Sequence, residues 1–239
     1  MLYANYLNHN EKGNENIMIN LYRKAMQAVH RESPNWYAAY KDICEKVRAV
    51  NDWNNPEEAS DALLKRVIYD TDNGVSSAGQ AFNAWPLPRP NVGRYRNLLN
   101  QLKDVQNSRY PSDEVARCRK DFFKITRGRG SAIFNRIVSA FQPGVVSPVM
   151  FEAAFDSAWR KLVQGGYIDD SGFRVQIGDD GWYTKNTWLM ERLREVLPDG
   201  QCDGGAIDID NYSRGTFVWG VHKYINMDDW IIIRDRVLK

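Results

Sequence analysis

The sequence predicts a mainly α-helical protein, one or two helical domains with a small β-hairpin element in the C-terminal third. Apolar residues recur every three or four positions in at least seven segments, whereas period-two alternation is confined to one glycine-punctuated stretch after Gly166. Hydrophobic residues make up 43% of the 239, enough for one large core or two small ones.

Ile17, Leu21, Ala25 and Ala28 mark one face of the first helix. Ser33 is placed to cap a second, with Pro34 in its first turn and Trp36, Tyr40, Ile43, Val47 and Val50 as its stripe. Asn54, Asn55, Pro56, Glu57 and Glu58 offer a cap, a first-turn proline and early carboxylates to a third helix, which runs through Leu63, Leu64, Val67 and Ile68 to Asp70. Asp72, Asn73 and Gly74 carry turn chemistry, and Pro86, Pro88 and Pro90 keep the chain near Trp85 in loop or short helix. Tyr95, Leu98, Leu102 and Val105 rebuild a stripe that breaks at Tyr110 and Pro111. That break divides the chain into an N-terminal helical region over 1–110 and a C-terminal one over 111–239, or lies within one continuous domain.

Ser112, Asp113 and Glu114 open the next helix, and Gly128 and Gly130 make its continuation costly. Ile133, Ile137, Ala140 and Phe141 mark a short helix stopped by Pro143 and Gly144; Phe151, Phe155, Ala158 and Leu162 mark a longer one ending at Gly165 and Gly166. Phe173, Val175 and Ile177 alternate between Gly172, Gly178 and Gly181, which suits the hairpin. Leu189, Leu193, Val196 and Leu197 form another helix, 199–211 reads as a polar loop, Phe217, Val221 and Ile225 form a last helix, and 230–233 suits a terminal strand.

Lys plus Arg number 32 against 30 Asp plus Glu, so any affinity for nucleic acid must come from a local patch and not from the global field. Cys44, Cys118 and Cys202 lack paired short spacings and read as reduced thiols. With no signal-peptide pattern and no run of 18 apolar residues, the expectation is a cytoplasmic protein without a membrane partner.

The chain contains no glycine-rich loop ending in Gly-Lys-Ser/Thr and no complete catalytic motif, so neither an enzyme nor a cofactor is expected. His9, His30 and His222 fall in different segments without ligand spacing, and no metal site is expected. Asp203, Asp208 and Asp210 could converge on a divalent ion in a loop, but the spacing of a calcium loop is absent and they read as a solvated loop. Asp169, Asp170, Asp179 and Asp180, with Lys185 near, are what a metal-dependent nuclease would use, which is one alternative.

The most uneven charge is a cluster of Arg117, Arg119, Lys120, Lys124, Arg127, Arg129 and Arg136 facing only Asp121. Such a cluster follows a phosphate backbone or forms a solvated helix face, and the spacing leaves both open. Trp53, Trp85 and Trp182 fall in loops and are candidates for base stacking, whereas Trp36, Trp159, Trp188 and Trp219 sit in or beside apolar stripes and read as core.

Two stretches resemble a known family. The run from Leu63 through Tyr69 and Asp70, then Asn73, Gly74, Val75, Ser76, Ser77, Ala78, Gly79 and Gln80, is similar to a segment preceding the motor domain in McrB-like restriction proteins. A second run, Ile133, Phe134, Asn135, Arg136 and on to Phe141, followed by Trp182, Lys185, Asn186, Trp188, Leu189, Met190, Phe217, Val218 and Trp219, resembles the same region. The resemblance implies a non-catalytic recognition module for double-stranded DNA, modified or plain, in a modification-dependent restriction system that defends against phage. Its partners would be GTPase or ATPase motor and nuclease subunits, and the chain would be a separate specificity subunit or an excised N-terminal region. The competing expectation is an assembly subunit without DNA affinity. Asn73, Gly74 and Gln80 have a sufficient explanation as structural residues of a turn, whereas Asn135 and Arg136, at a helix start, either meet phosphate or cap and brace the fold, and the sequence leaves both open.

Overall fold

The computed structural model describes residues 2–77, 92–202 and 207–226, with 2–16 as backbone alone. Among these residues the chain is mainly helical, with nine α-helices: α1 (Leu2–Glu32), α2 (Trp36–Ala49), α3 (Asp61–Ile68), α4 (Val92–Asp104), α5 (Pro111–Thr126), α6 (Ser131–Phe141), α7 (Glu152–Gln164), α8 (Gly181–Val196) and α9 (Asn211–Tyr224). None of the helices so described is long and apolar enough to cross a membrane.

The apolar stripes assemble into two clusters. The first runs from Tyr40 to Val146, joins α2 to α6, and takes Trp182 and Tyr183 from α8. The second gathers α1, α7, α8 and α9 around Leu21, Tyr22, Phe155, Leu189 and Phe217. These clusters do not divide at Tyr110; α8 serves both, and Tyr40 and Tyr212 meet edge to face where α2 approaches α9.

Three local expectations are corrected. No hairpin forms over 167–180: among the described residues β pairing is limited to single bridges, Asp72 with Ser77, Pro143 with Val146 and Gly200 with Ile209. Phe173 packs on Trp159 and Trp188 while Val175 and Ile177 stay exposed, and turns at Asp169–Ser171 and Gln176–Asp179 satisfy polar groups locally, so the alternation has no opposing strand.

The third helix starts later than its acidic lead-in suggests. Glu58 accepts from the Asn51 and Asp52 amides and Asn55 from the Glu57 amide, closing turns that bury Trp53; Ser60 is the cap, accepting from Leu63 N at 3.2 Å. Ser33 does not cap α2 either, because its amide still bonds Val29 O and thereby completes α1; Asn35 stands at the cap position and makes no side-chain cap bond. The proposed strand at 230–233 lies outside the described residues.

Candidate functional site

The loop between α3 and α4 is built by Asn73. Its fully buried side chain accepts from the Val75 amide at 3.0 Å and donates to Val67 O at 3.3 Å, while Asp72 Oδ1 accepts from Gly74 N at 3.0 Å. Gly74 has φ +92°, and a Cβ there would lie 2.6 Å from the Ala39 carbonyl oxygen, so the close approach of this turn to α2 requires glycine.

Arg136 holds the same loop from beneath. The side chain is fully buried on α6, and its guanidinium donates to main-chain carbonyls of Asp70 (2.9 Å), Thr71 (3.2 Å), Ser76 (3.4 Å) and Ile68 (3.4 Å). Burial pulls this guanidinium down to about 10, partly countered by Asp72 and Asp70, and it remains charged at neutral pH.

Segment 147–151 forms the facing wall. Asn135 Nδ2 donates to Met150 O at 2.9 Å, Ser139 Oγ to Ser147 O at 2.9 Å, and Asn186 Oδ1 accepts from Ser147 N at 2.8 Å. Two residues from the resembling motifs, Asn135 and Asn186, therefore fix this wall.

Between the walls lies a cleft of about 440 Å³, lined by Trp36, Asp72, Gly74, Ser76, Met150, Phe151 and Trp219 among others. Trp36 and Trp219 meet edge to face, centroids 6.1 Å apart at 76°, and Trp36 Nε1 donates to Val75 O at 2.9 Å. Phe151 is 40% exposed at the rim. The volume falls within the range of about 300–1,000 Å³ common for small-ligand clefts, and the mix of aromatic faces with main-chain and hydroxyl groups suits a planar heterocycle.

The cationic cluster separates into two sets. Arg117, Lys120 and Lys124 recur at helical spacing on the exposed side of α5, followed in the exposed turn by Arg127, which adopts φ 58°, and Arg129. Arg117 pairs with Glu114 and Lys124 with Asp121, whereas Lys120 and Arg127 have no partner among the described residues.

Arg119 and Arg136 are corrections: both turn inward. Arg119 pairs with Asp180, donates to Ser131 Oγ at 3.0 Å and Asn135 Oδ1 at 2.7 Å, and lies over the Phe134 ring at 4.6 Å. Neither can reach a phosphate without dismantling the core.

Trp53 and Trp182 are also corrected: both are buried in the first cluster, Trp53 within turns that its burial closes and Trp182 in the first turn of α8 rather than in a loop. Trp85 and Gln80 lie outside the described residues. The aromatic faces come instead from Trp36 and Trp219, which the stripes assigned to core. Trp219 could have been found: it stands two residues from Phe217 and so points away from the stripe of Phe217, Val221 and Ile225.

The acidic residues do not gather around Lys185, which pairs with Asp156 at 2.6 Å and lies 4.7 Å from the Trp159 ring centre. Asp180 caps α8 and holds Arg119, Asp210 caps α9, Asp179 accepts from Gln176 N, and Asp169 closes a turn on Ser171. Among the described residues no three His, Cys, Asp or Glu side chains converge as a metal site. No family model, curated protein or solved structure matches the chain.

Proposed function

We propose that this protein is a non-catalytic DNA-recognition module in which the Trp36–Trp219 cleft receives an unstacked base and the exposed cations of α5 and its following turn contact phosphates. One observation carries the reading: the cleft adjoins the basic turn. Ser131, directly after that turn, lies 3.4 Å from Glu152, and Glu152 follows Phe151 at the cleft rim. The cleft rim and the basic turn thus meet at the start of α6, the arrangement a base stacked in the cleft with its phosphate on the turn would need.

The resemblance to McrB-like proteins supplies the wider setting. In it the module sits in the cytoplasm beside motor and nuclease subunits and selects modified double-stranded DNA for an antiviral restriction system. A second reading, an assembly subunit, draws on Tyr110, Val175 and Ile177, which are 58%, 51% and 107% exposed; Asp180 N donates to Ser112 Oγ at 3.1 Å at the start of α5, two residues after Tyr110.

Fluorescence anisotropy with labelled duplexes carrying a plain, a methylated or an unpaired base separates the readings. The recognition reading expects tighter binding where the target base is modified or unpaired, and loss of that preference in Trp219→Ala. Equal absence of binding to all three at 50 mM salt would leave the assembly reading. Plasmid cleavage with magnesium or manganese would establish the nuclease alternative.

A further inference from the structure

α4 and α5 pack side by side, and their outer edges leave a groove of about 320 Å³ lined by Arg94, Asn97, Leu98 and Gln101 from α4 and Asp121, Lys124 and Ile125 from α5. Arg94, Asn97 and Gln101 recur at helical spacing and so share one face of α4. None of these residues belongs to the cleft, and none on α4 belongs to the cluster read from the sequence.

The hydrogen-bond inventory of the groove is one-sided. Asn97 Oδ1 is engaged by Asn54 Nδ2 at 3.1 Å, and Gln101 Oε1 accepts from Cys118 Sγ at 3.7 Å. Each amide has its acceptor occupied and retains its NH₂ donors without a partner among the described residues. The Arg94 guanidinium is exposed and has no hydrogen-bond or ion-pair partner among them. The single carboxylate in the groove, Asp121, pairs with Lys124 at 2.7 Å. Donors therefore line the groove, its one carboxylate is neutralised within it, and one cation is left over.

We infer that this groove is a seat for a run of phosphodiester groups, a second backbone contact continuing the α5 stripe; the inference rests on the DNA-binding reading above. An exposed guanidinium with amide donors is what an oxyanion requires, and neighbouring positions on a helix face stand about 5–6 Å apart, which suits successive charges on a strand better than one isolated ion. Lys124 lies both in the groove and on the α5 stripe, so the two surfaces form one track that spans two helices.

The test measures binding of a fluorescein-labelled 20-base-pair duplex between 50 and 200 mM NaCl for the intact protein, Arg94→Ala with Lys124→Ala, Gln101→Glu, and Arg109→Ala, whose side chain lies over Tyr110 at the other end of α5. The expected result is a salt slope reduced by about one in the double variant, since each phosphate contact contributes about 0.9 to that slope and Lys124 is already paired with Asp121, with unchanged thermal melting and unaltered binding by Arg109→Ala. Gln101→Glu, which replaces a donor by a carboxylate, is expected to weaken binding at least tenfold at 100 mM NaCl. Wild-type affinity and slope in both groove variants, while Trp219→Ala abolishes base preference, would overturn the groove alone. No duplex binding by the intact protein would overturn both readings. Binding to vesicles of 30% phosphatidylserine that depends on Arg94 and exceeds duplex binding would overturn the nucleic-acid assignment in favour of a lipid surface.

Discussion

Asn135 Nδ2 donates to Met150 O at 2.9 Å, and the same side chain's Oδ1 accepts from Arg119 at 2.7 Å. One buried amide thus links the cationic helix α5 to the cleft wall. Asn135→Ala should cost about 1–3 kcal/mol for the carbonyl left unpaired, a loss readable as a lowered Tm. Asn135→Asp keeps the acceptor for Arg119 and removes the donor to Met150. It should impair base preference more than duplex affinity; equal loss of both would mean the linkage is purely structural.

Trp53 and Trp219 should respond in opposite ways. Trp53 is fully buried against Phe141, with centroids 5.8 Å apart, so Trp53→Ala should destabilise by about 3–5 kcal/mol. Trp219 lines a cleft and is only partly buried against the second cluster, so Trp219→Ala should cost less stability than Trp53→Ala while removing about 1–3 kcal/mol of stacking from a bound base. Chemical denaturation and anisotropy on the same two samples check the contrast.

Arg127→Ala with Arg129→Ala should leave folding intact and lower the salt slope of DNA binding by up to about two. Adding Arg136→Ala should instead unfold or severely weaken the protein, by about 3–5 kcal/mol, because four carbonyls lose a buried cation. Arg136→Lys should rescue only part of that, since one ammonium cannot reproduce a planar fork. Urea melts decide this, and a stable Arg136→Ala protein would contradict the strut role.

His222 packs on Trp219 with centroids 5.2 Å apart, and desolvation, followed by Lys161 and Lys223, holds its pKa below the ordinary imidazole value. Above about pH 6.5 the ring is neutral in both folded and unfolded chains, so it adds no pH dependence. As pH falls below that value the unfolded chain binds the proton first, so stability is lost until the folded value is reached. His222→Gln should flatten the decline in Tm between pH 7 and 5; an unchanged decline would assign it to other groups.

The helical stripes were legible because an amphipathic face reports its own period. Ile43 and Val47, or Leu98 and Leu102, needed no tertiary knowledge to be placed inside. The hairpin was misread because alternation in Phe173, Val175 and Ile177 records only that one of three finds an aromatic partner. Arg119 and Arg136 were misread because sequence reports charge and not direction. Each is inside only because acceptors from distant segments, Asp180 in one case and the 68–76 carbonyls in the other, wait for it. The cleft was invisible for the same reason, since its walls come from four separated stretches.

The strut on Arg136 also sets an order of events. Its acceptors at Ile68, Asp70 and Ser76 lie 60–68 residues earlier in the chain. On a ribosome delivering about 5–20 residues per second, the loop emerges seconds before the helix that anchors it. Through that interval the loop carbonyls are held by water, and α3, only eight residues long, lacks the α6 surface it packs on. This wall of the cleft is therefore a late product of synthesis, completed when α6 brings in its charge, and a ribosome stalled before that point holds a chain with helices but no cleft.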